Sequence, residues 1–247
     1  MPVLAPPDWI ACAQCRHRDG VGFVGHDDDD AAFMTAFKLG RGTLQAGANI
    51  EGDAGQPILL TLYSGWALRL RQGAATGAAI LGIALPGDLI GLETVFIGRG
   101  ALRLQALTDI TYCQFDPARW RELLDRPALA ERVLRAQALA RREAEERQVA
   151  ATTLSATGNL CHFVLTLHDA LRRRKLARDD SFHLPLNRKQ LAGALGLTAL
   201  HLRRVLANLR ETGVLELSDG RATLHDLSRL RRLAGNPQFE QDALPLI

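Results

Sequence analysis

Three thiols and a row of guanidinium groups are the side chains in this chain with the most chemistry to offer. Cys12 and Cys15 form a Cys-x-x-Cys pair near the start, and Cys113 is a third, remote thiol. Such a pair plus one distant thiolate can hold three corners of a [4Fe–4S] cube, because thiolates are the usual ligands of these clusters. The same sulfurs suit a thiol/disulfide switch or a zinc site, and a structurally incidental role also stands open. His17, Asp19 and His26 follow the pair and are the candidate fourth ligands. Cys161 differs, since Leu160, Val164, Leu165 and Leu167 surround it on an apolar helical run where a thiol reads as a small buried hydrophobe. A thiol oxidoreductase fits poorly, because its Cys-x-x-Cys opens a helix in a βαβ pattern and no regular element is evident around Cys12 and Cys15.

The guanidinium row lies in Asn187 to Leu206, NRKQLAGALGLTALHLRRVL. Asn187 with Gln190 has capping-box spacing, and Leu191, Ala192 and Leu195 form an inner face. Gly196 suits the turn after that helix, and Thr198 can cap a second one with Leu202, Val205, Leu206 and Leu209 at helical spacing. This pattern predicts a helix-turn-helix whose second helix lies in the major groove of double-stranded DNA. Thr198, Leu200, His201, Arg203 and Arg204 would face the DNA, with Arg204 reading guanine through O6 and N7. GVLELSDGRATLHDL adds two alternating runs joined at Asp219-Gly220, a hairpin wing with Arg221 at its tip. Arg188, Lys189 and Arg221 would meet phosphates.

The elements needed to carry these groups fall in order. Residues 1–30 form a cysteine-bearing segment with the acid run Asp27 to Asp30, expected to be a solvated loop. Residues 31–124 form a glycine-punctuated run of short strands, suggesting a β-roll. Residues 125–157 read as a long helix, with Leu129, Val133, Ala136, Ala140, Ala144, Ala151 and Leu154 near one stripe that could pair with a second copy. Gly158 is expected to interrupt the helix, after which residues 158–235 form the winged helix-turn-helix and 236–247 a frayed tail. The fold class is therefore α+β. With 47% hydrophobic residues and a net charge of +3, the chain reads as soluble, and its arginines crowd the last third. No stretch has the length of a membrane span, and a cytoplasmic location is expected.

A β-roll, a long helix and a winged helix-turn-helix in that order resemble the Crp/Fnr superfamily of bacterial transcription regulators over nearly the whole chain. Leu85 to Cys113, with its Pro86-Gly87-Asp88 turn, looks like the cyclic-nucleotide-binding-like roll segment, and Gly65 to Leu70 like the strand before it. The resemblance implies a homodimer on a DNA operator with RNA polymerase as a further partner, and it matches Cys113 to the internal cluster ligand of the oxygen-sensing branch. Oxygen, redox state or nitric oxide would then be the signal. Two departures matter. Val21 stands where that branch has a further cysteine, and Leu200-His201-Leu202-Arg203-Arg204 replaces its Glu-x-x-Ser-Arg, so only Arg204 carries over. Cyclic-nucleotide binding is not expected, because Leu92 follows Gly91 where the family's glutamate lies and Gly100-Ala101 replaces its Arg-Ser pair, with Arg99 adjacent.

Overall fold

The computed structural model describes residues 10–18, 23–24, 27–52, 55–73, 77–97, 102–177, 179–237 and 244–245. It divides into two compact units, Met1–Gln137 with Leu244–Ile247, and Ala138–Ala243.

In the first unit a 3₁₀ turn (Cys12–Gln14) precedes β1 (Phe23–Val24), α1 (Asp28–Phe37), β2 (Lys38–Leu44), β3 (Asn49–Gly52), β4 (Leu59–Ser64), β5 (Ala67–Gly73), β6 (Gly77–Ala84) and β7 (Leu89–Ile90). Then come α2 (Leu92–Phe96), β8 (Leu102–Ala106), β9 (Ile110–Phe115), a 3₁₀ turn (Pro117–Arg119), α3 (Trp120–Leu124) and the start of α4 (Pro127–Thr153). Two four-stranded sheets, in the orders β2-β9-β4-β7 and β3-β8-β5-β6, make the roll. Strand periodicity fills it: Leu102, Leu104 and Ala106 are buried alternately along β8, with Leu60, Leu62, Ile90, Ile110 and Tyr112 around them. A second cluster, Met34, Phe37, Leu59, Leu92, Phe115, Leu123, Leu129 and Val133, seats α1, α2, α3 and the first turns of α4 on the roll.

The acid run is not a solvated loop. Asp27 caps α1 by accepting from the Asp30 N–H at 2.7 Å, which places three further acids in the first turn where the helix dipole favours them. Asp30 is buried, and Arg126, just ahead of α4, reaches it through Nε at 2.8 Å while its Nη2 meets Asp29. Two residues of the pairing stripe expected on the long helix are corrected, because Leu129 and Val133 are buried in the roll-side core and cannot face a second copy, whereas Ala144 and Ala151 are exposed. Leu134 and Val149 are the large apolar residues that α4 leaves exposed. The tail contains β13 (Leu244–Pro245), which pairs with β1 in parallel.

The second unit continues α4 and adds α5 (Ala156–Arg173), β10 (Ser181–His183), α6 (Arg188–Leu195), α7 (Ala199–Glu211), β11 (Leu215–Ser218), β12 (Arg221–Leu224) and α8 (Leu227–Leu233). The helical break falls at Ser155, whose Oγ accepts from the Gly158 N–H at 3.1 Å, so Gly158 lies inside α5 and interrupts nothing. Its lack of a side chain serves packing: a Cβ there would come within 2.7 Å of the Leu233 carbonyl oxygen. The wing has three strands, in the order β10-β12-β11. Ser181 begins the strand that pairs with β12, Ser181 opposite Thr223 and His183 opposite Arg221. Three residues are too few to show alternation.

Candidate nucleic-acid interface and thiol cluster

Helix α6 starts with both bonds of a capping box, Asn187 Oδ1 accepting from the Gln190 N–H and Gln190 Oε1 from the Asn187 N–H, each at 2.9 Å. It ends at Gly196, whose φ of 66° lets the chain reverse while the Leu197 N–H bonds the Ala192 carbonyl at 2.9 Å. Thr198 caps α7 by accepting from the His201 N–H at 3.2 Å. Leu202, Val205 and Leu209 then point into the core. Opposite them Leu200, Arg203, Arg204, Ala207 and Asn208 form one exposed row at helical spacing.

Two sides of that helix differ. Ala199, Arg203, Ala207 and Arg210 line a groove of about 400 Å³ toward the wing, with Arg188 and Leu217 on its other side. Leu200 and Arg204 do not line it. Arg188 is tied to the wing, Nη2 donating to the Leu217 carbonyl at 3.0 Å, while Lys189 is exposed at the start of α6. The hairpin turns at Asp219 and Gly220, with φ of 51° and 70°, the doubly left-handed pair of a tight two-residue loop. Arg221 follows, and its Nη1 donates to Ser181 Oγ at 3.0 Å, so the third strand steadies the wing arginine. Arg210, which the sequence reading did not single out for DNA, borders the same groove and lies 3.8 Å from Glu216.

In the first unit the segment carrying Cys12 and Cys15 is clamped to the roll. The Cys12 N–H donates to Thr35 Oγ1 at 2.8 Å, and the buried Lys38 ammonium donates to the Ile10 carbonyl at 3.0 Å. Arg16 Nη2 donates to the Tyr63 carbonyl at 3.0 Å, and the guanidinium groups of Arg16 and Arg41 lie 4.5 and 4.4 Å from the Tyr63 ring centroid. Cys113, on β9 opposite Arg41 of β2, packs with Cys12 against the cluster around Phe37 and Phe115. Burial pushes the Cys15 and Cys113 thiols up from their ordinary range, and Cys12 raises both further, while Lys38 pulls both down. Chain folding thus brings the remote Cys113 into electrostatic reach of the Cys12–Cys15 pair, with Cys15 and Cys113 both near the buried Lys38.

This arrangement falls short of a cluster cage. Among the described residues no three His, Cys, Asp or Glu side chains converge closely enough to hold a metal ion. His17 has Nε2 at 2.8 Å from the Tyr63 carbonyl oxygen, which engages that ring nitrogen. Asp19 and His26 lie outside the described residues, as do Arg99 and Gly100-Ala101. The donor types suit an iron–sulfur group, whereas their spacing does not. At the position after Gly91, Leu92 is buried in the roll-side core, and the neighbouring Glu93 is engaged by Arg69 at 3.0 Å.

Cys161 is fully buried, and burial pushes its thiol up to about 12. At pH 7.5 iodoacetamide should therefore leave Cys161 unmodified in the folded chain. Because the folded state favours the protonated thiol, its contribution to stability is complete below the unfolded value near 9 and is lost as pH rises toward 12. Urea midpoints from pH 8 to 11 should fall less steeply for Cys161→Ala than for the parent; parallel slopes would show that the site is not water-excluded.

Residues 159–233 match the Crp-like helix-turn-helix domain family. Those residues carry a Crp-like helix-turn-helix domain. The Crp/Fnr-type fold extends across both units: the chain superposes on the structure of FixK2 from Bradyrhizobium japonicum with a TM-score of 0.67 and 22% identity, over 78% of this chain and 96% of that one. It is 31% identical over 156 residues to the nitrogen fixation regulation protein FixK of Bradyrhizobium diazoefficiens, covering 63% of this chain and 65% of the relative, just under two thirds. Likeness to the transcriptional activator protein FnrL of Cereibacter sphaeroides is 25% but runs over 91% of this chain and 92% of the relative. Both relatives are named as regulators. None of its described helices is long and apolar enough to cross a membrane.

Proposed function

We propose that this chain is a homodimeric transcription regulator that binds a double-stranded DNA operator through α7 and the wing. Its affinity for the operator follows the chemical state of Cys12, Cys15 and Cys113, and RNA polymerase is the onward partner. The observation that carries the DNA-binding reading is the exposed row Leu200, Arg203, Arg204 and Asn208 on a helix capped at Thr198, beside a wing bearing Arg221. A helix with basic groups outward and leucines inward fits the major groove, where phosphates attract the cations and base edges select among sequences. Arg188, Lys189 and Arg221 serve as phosphate contacts, and Arg204 reads a base.

The sensing part rests on the three gathered thiols and the bonds leading away from them. Thr35 of α1 holds the Cys12 backbone, and the first turn of the same helix holds Arg126 through Asp29 and Asp30. Arg126 immediately precedes α4. Joining two of the thiols as a disulfide gives two electrons and two protons to an oxidant such as a peroxide, and repositions the segment that Thr35 and Lys38 now hold. Any such event changes DNA affinity only as far as it favours one state of the dimer over the other.

Operator binding should be measured for reduced and diamide-oxidised full-length protein, alongside Cys113→Ala. The expected result is a redox-dependent change of tenfold or more in the parent and none in the variant, with the variant's melting curve little altered. Full redox dependence in Cys113→Ala would end the sensing assignment. Broad absorbance near 400 nm with stoichiometric iron and sulfide in anaerobically purified protein would replace direct thiol chemistry with a cluster.

A further inference from the structure

We propose that Leu200 packs on a thymine methyl in the major groove and, with Arg204, sets the base preference of each operator half-site. The proposal rests on the DNA-binding reading above. Leu200 is 51% exposed, whereas Leu202, Val205 and Leu209 of the same helix are 1%, 6% and 1% exposed. It therefore adds little to the domain core. It stands two residues after the Thr198 cap, in the part of a recognition helix that comes nearest to base edges. His201, Arg203 and Arg204 around it are all exposed, so the leucine is an apolar spot in a basic surface suited to a polyanion.

A leucine side chain has no hydrogen-bonding group, and among the four bases only thymine presents an apolar group, its C5-methyl, in the major groove. Cytosine at that position would bring its N4 amino donor against the leucine with no acceptor, so it is disfavoured. Arg203 is turned into the groove toward the wing, which leaves Arg204 as the arginine sharing Leu200's side of the helix. Four residues along a helix rise about 6 Å, and base pairs stack about 3.4 Å apart. The thymine read by Leu200 and the guanine read by Arg204 should thus lie within about two base-pair steps of each other.

The test begins with selection of binding sites from a random duplex library by the full-length protein, followed by replacement of each half-site thymine by deoxyuridine, which removes only the methyl. One position per half-site should weaken binding about three- to fivefold on losing its methyl, the scale of one buried methyl group. Leu200→Ala should bind thymine and deoxyuridine operators equally, and Leu200→Glu should change the selected base at that position. Parent protein indifferent to deoxyuridine at every position, or Leu200→Ala that keeps the parent's sensitivity, overturns the proposal while leaving DNA recognition standing. Failure to enrich any sequence would instead remove the regulator reading on which it depends.

Discussion

Arg204→Ala is expected to lose about 30-fold or more of the parent's preference for operator over random duplex, while its melting curve stays within a degree of the parent's. The side chain is exposed and begins no buried network, so folding does not depend on it. Its loss removes a bidentate guanine contact of about 1–3 kcal/mol per half-site. On a dimer with two half-sites the smaller figure already amounts to roughly 30-fold. Lys189→Ala is the informative contrast: a phosphate contact carries no sequence information, so that variant should lose affinity uniformly across sequences and show a shallower salt dependence. Equilibrium titrations on operator and random duplexes at two salt concentrations separate the cases. If Arg204→Ala keeps the parent's preference for operator, the base-reading assignment belongs to another residue.

A comparably large effect is expected far from the DNA, at Gly91. This residue adopts a φ of 103°, and a Cβ there would lie 1.9 Å from the Ile58 carbonyl oxygen, a backbone atom held in the roll. Both obstacles act together, because the left-handed backbone opposes a side chain and the space for one is already filled. Gly91→Ala should cost at least about 3 kcal/mol, enough to lower the roll's thermal transition by about 10 °C. Gly47 supplies the control, with a similar φ of 88° but nothing within 4 Å of an added Cβ. Gly47→Ala should cost only about 1 kcal/mol, the backbone part alone. Equal melting temperatures for the two variants would show that the approach of Ile58 to Gly91 relaxes freely.

The two halves of the molecule were unequally legible. The helix-turn-helix declares itself because its signals are local: a cap and its partner three residues apart, a glycine where the chain must reverse, and leucines at helical spacing. Each of these is decided within a few residues, and each bond expected from Asn187, Gln190 and Thr198 is present. The long helix misled for the opposite reason. Leu129 and Val133 lie on one stripe in any helical projection, yet whether that stripe meets a second copy or the chain's own roll depends on where Phe37 and Phe115 arrive. The acid run misled likewise, because a row of aspartates looks solvated until Arg126, nearly a hundred residues away in sequence, is brought against Asp30.

By itself, then, the sequence determined the order of elements, the helix-turn-helix of α6 and α7, the Asp219-Gly220 turn and the burial of Cys161. All are set by neighbours a few residues apart, where backbone preference and side-chain periodicity act directly. Only the tertiary structure decided that Cys15 and Cys113 share the buried Lys38 as a neighbour, and that Arg203, not Arg204, lines the groove toward the wing. It also decided that the wing has a third strand. These outcomes come from the meeting of distant segments, and burial, charge and strand pairing exist only once those segments have met.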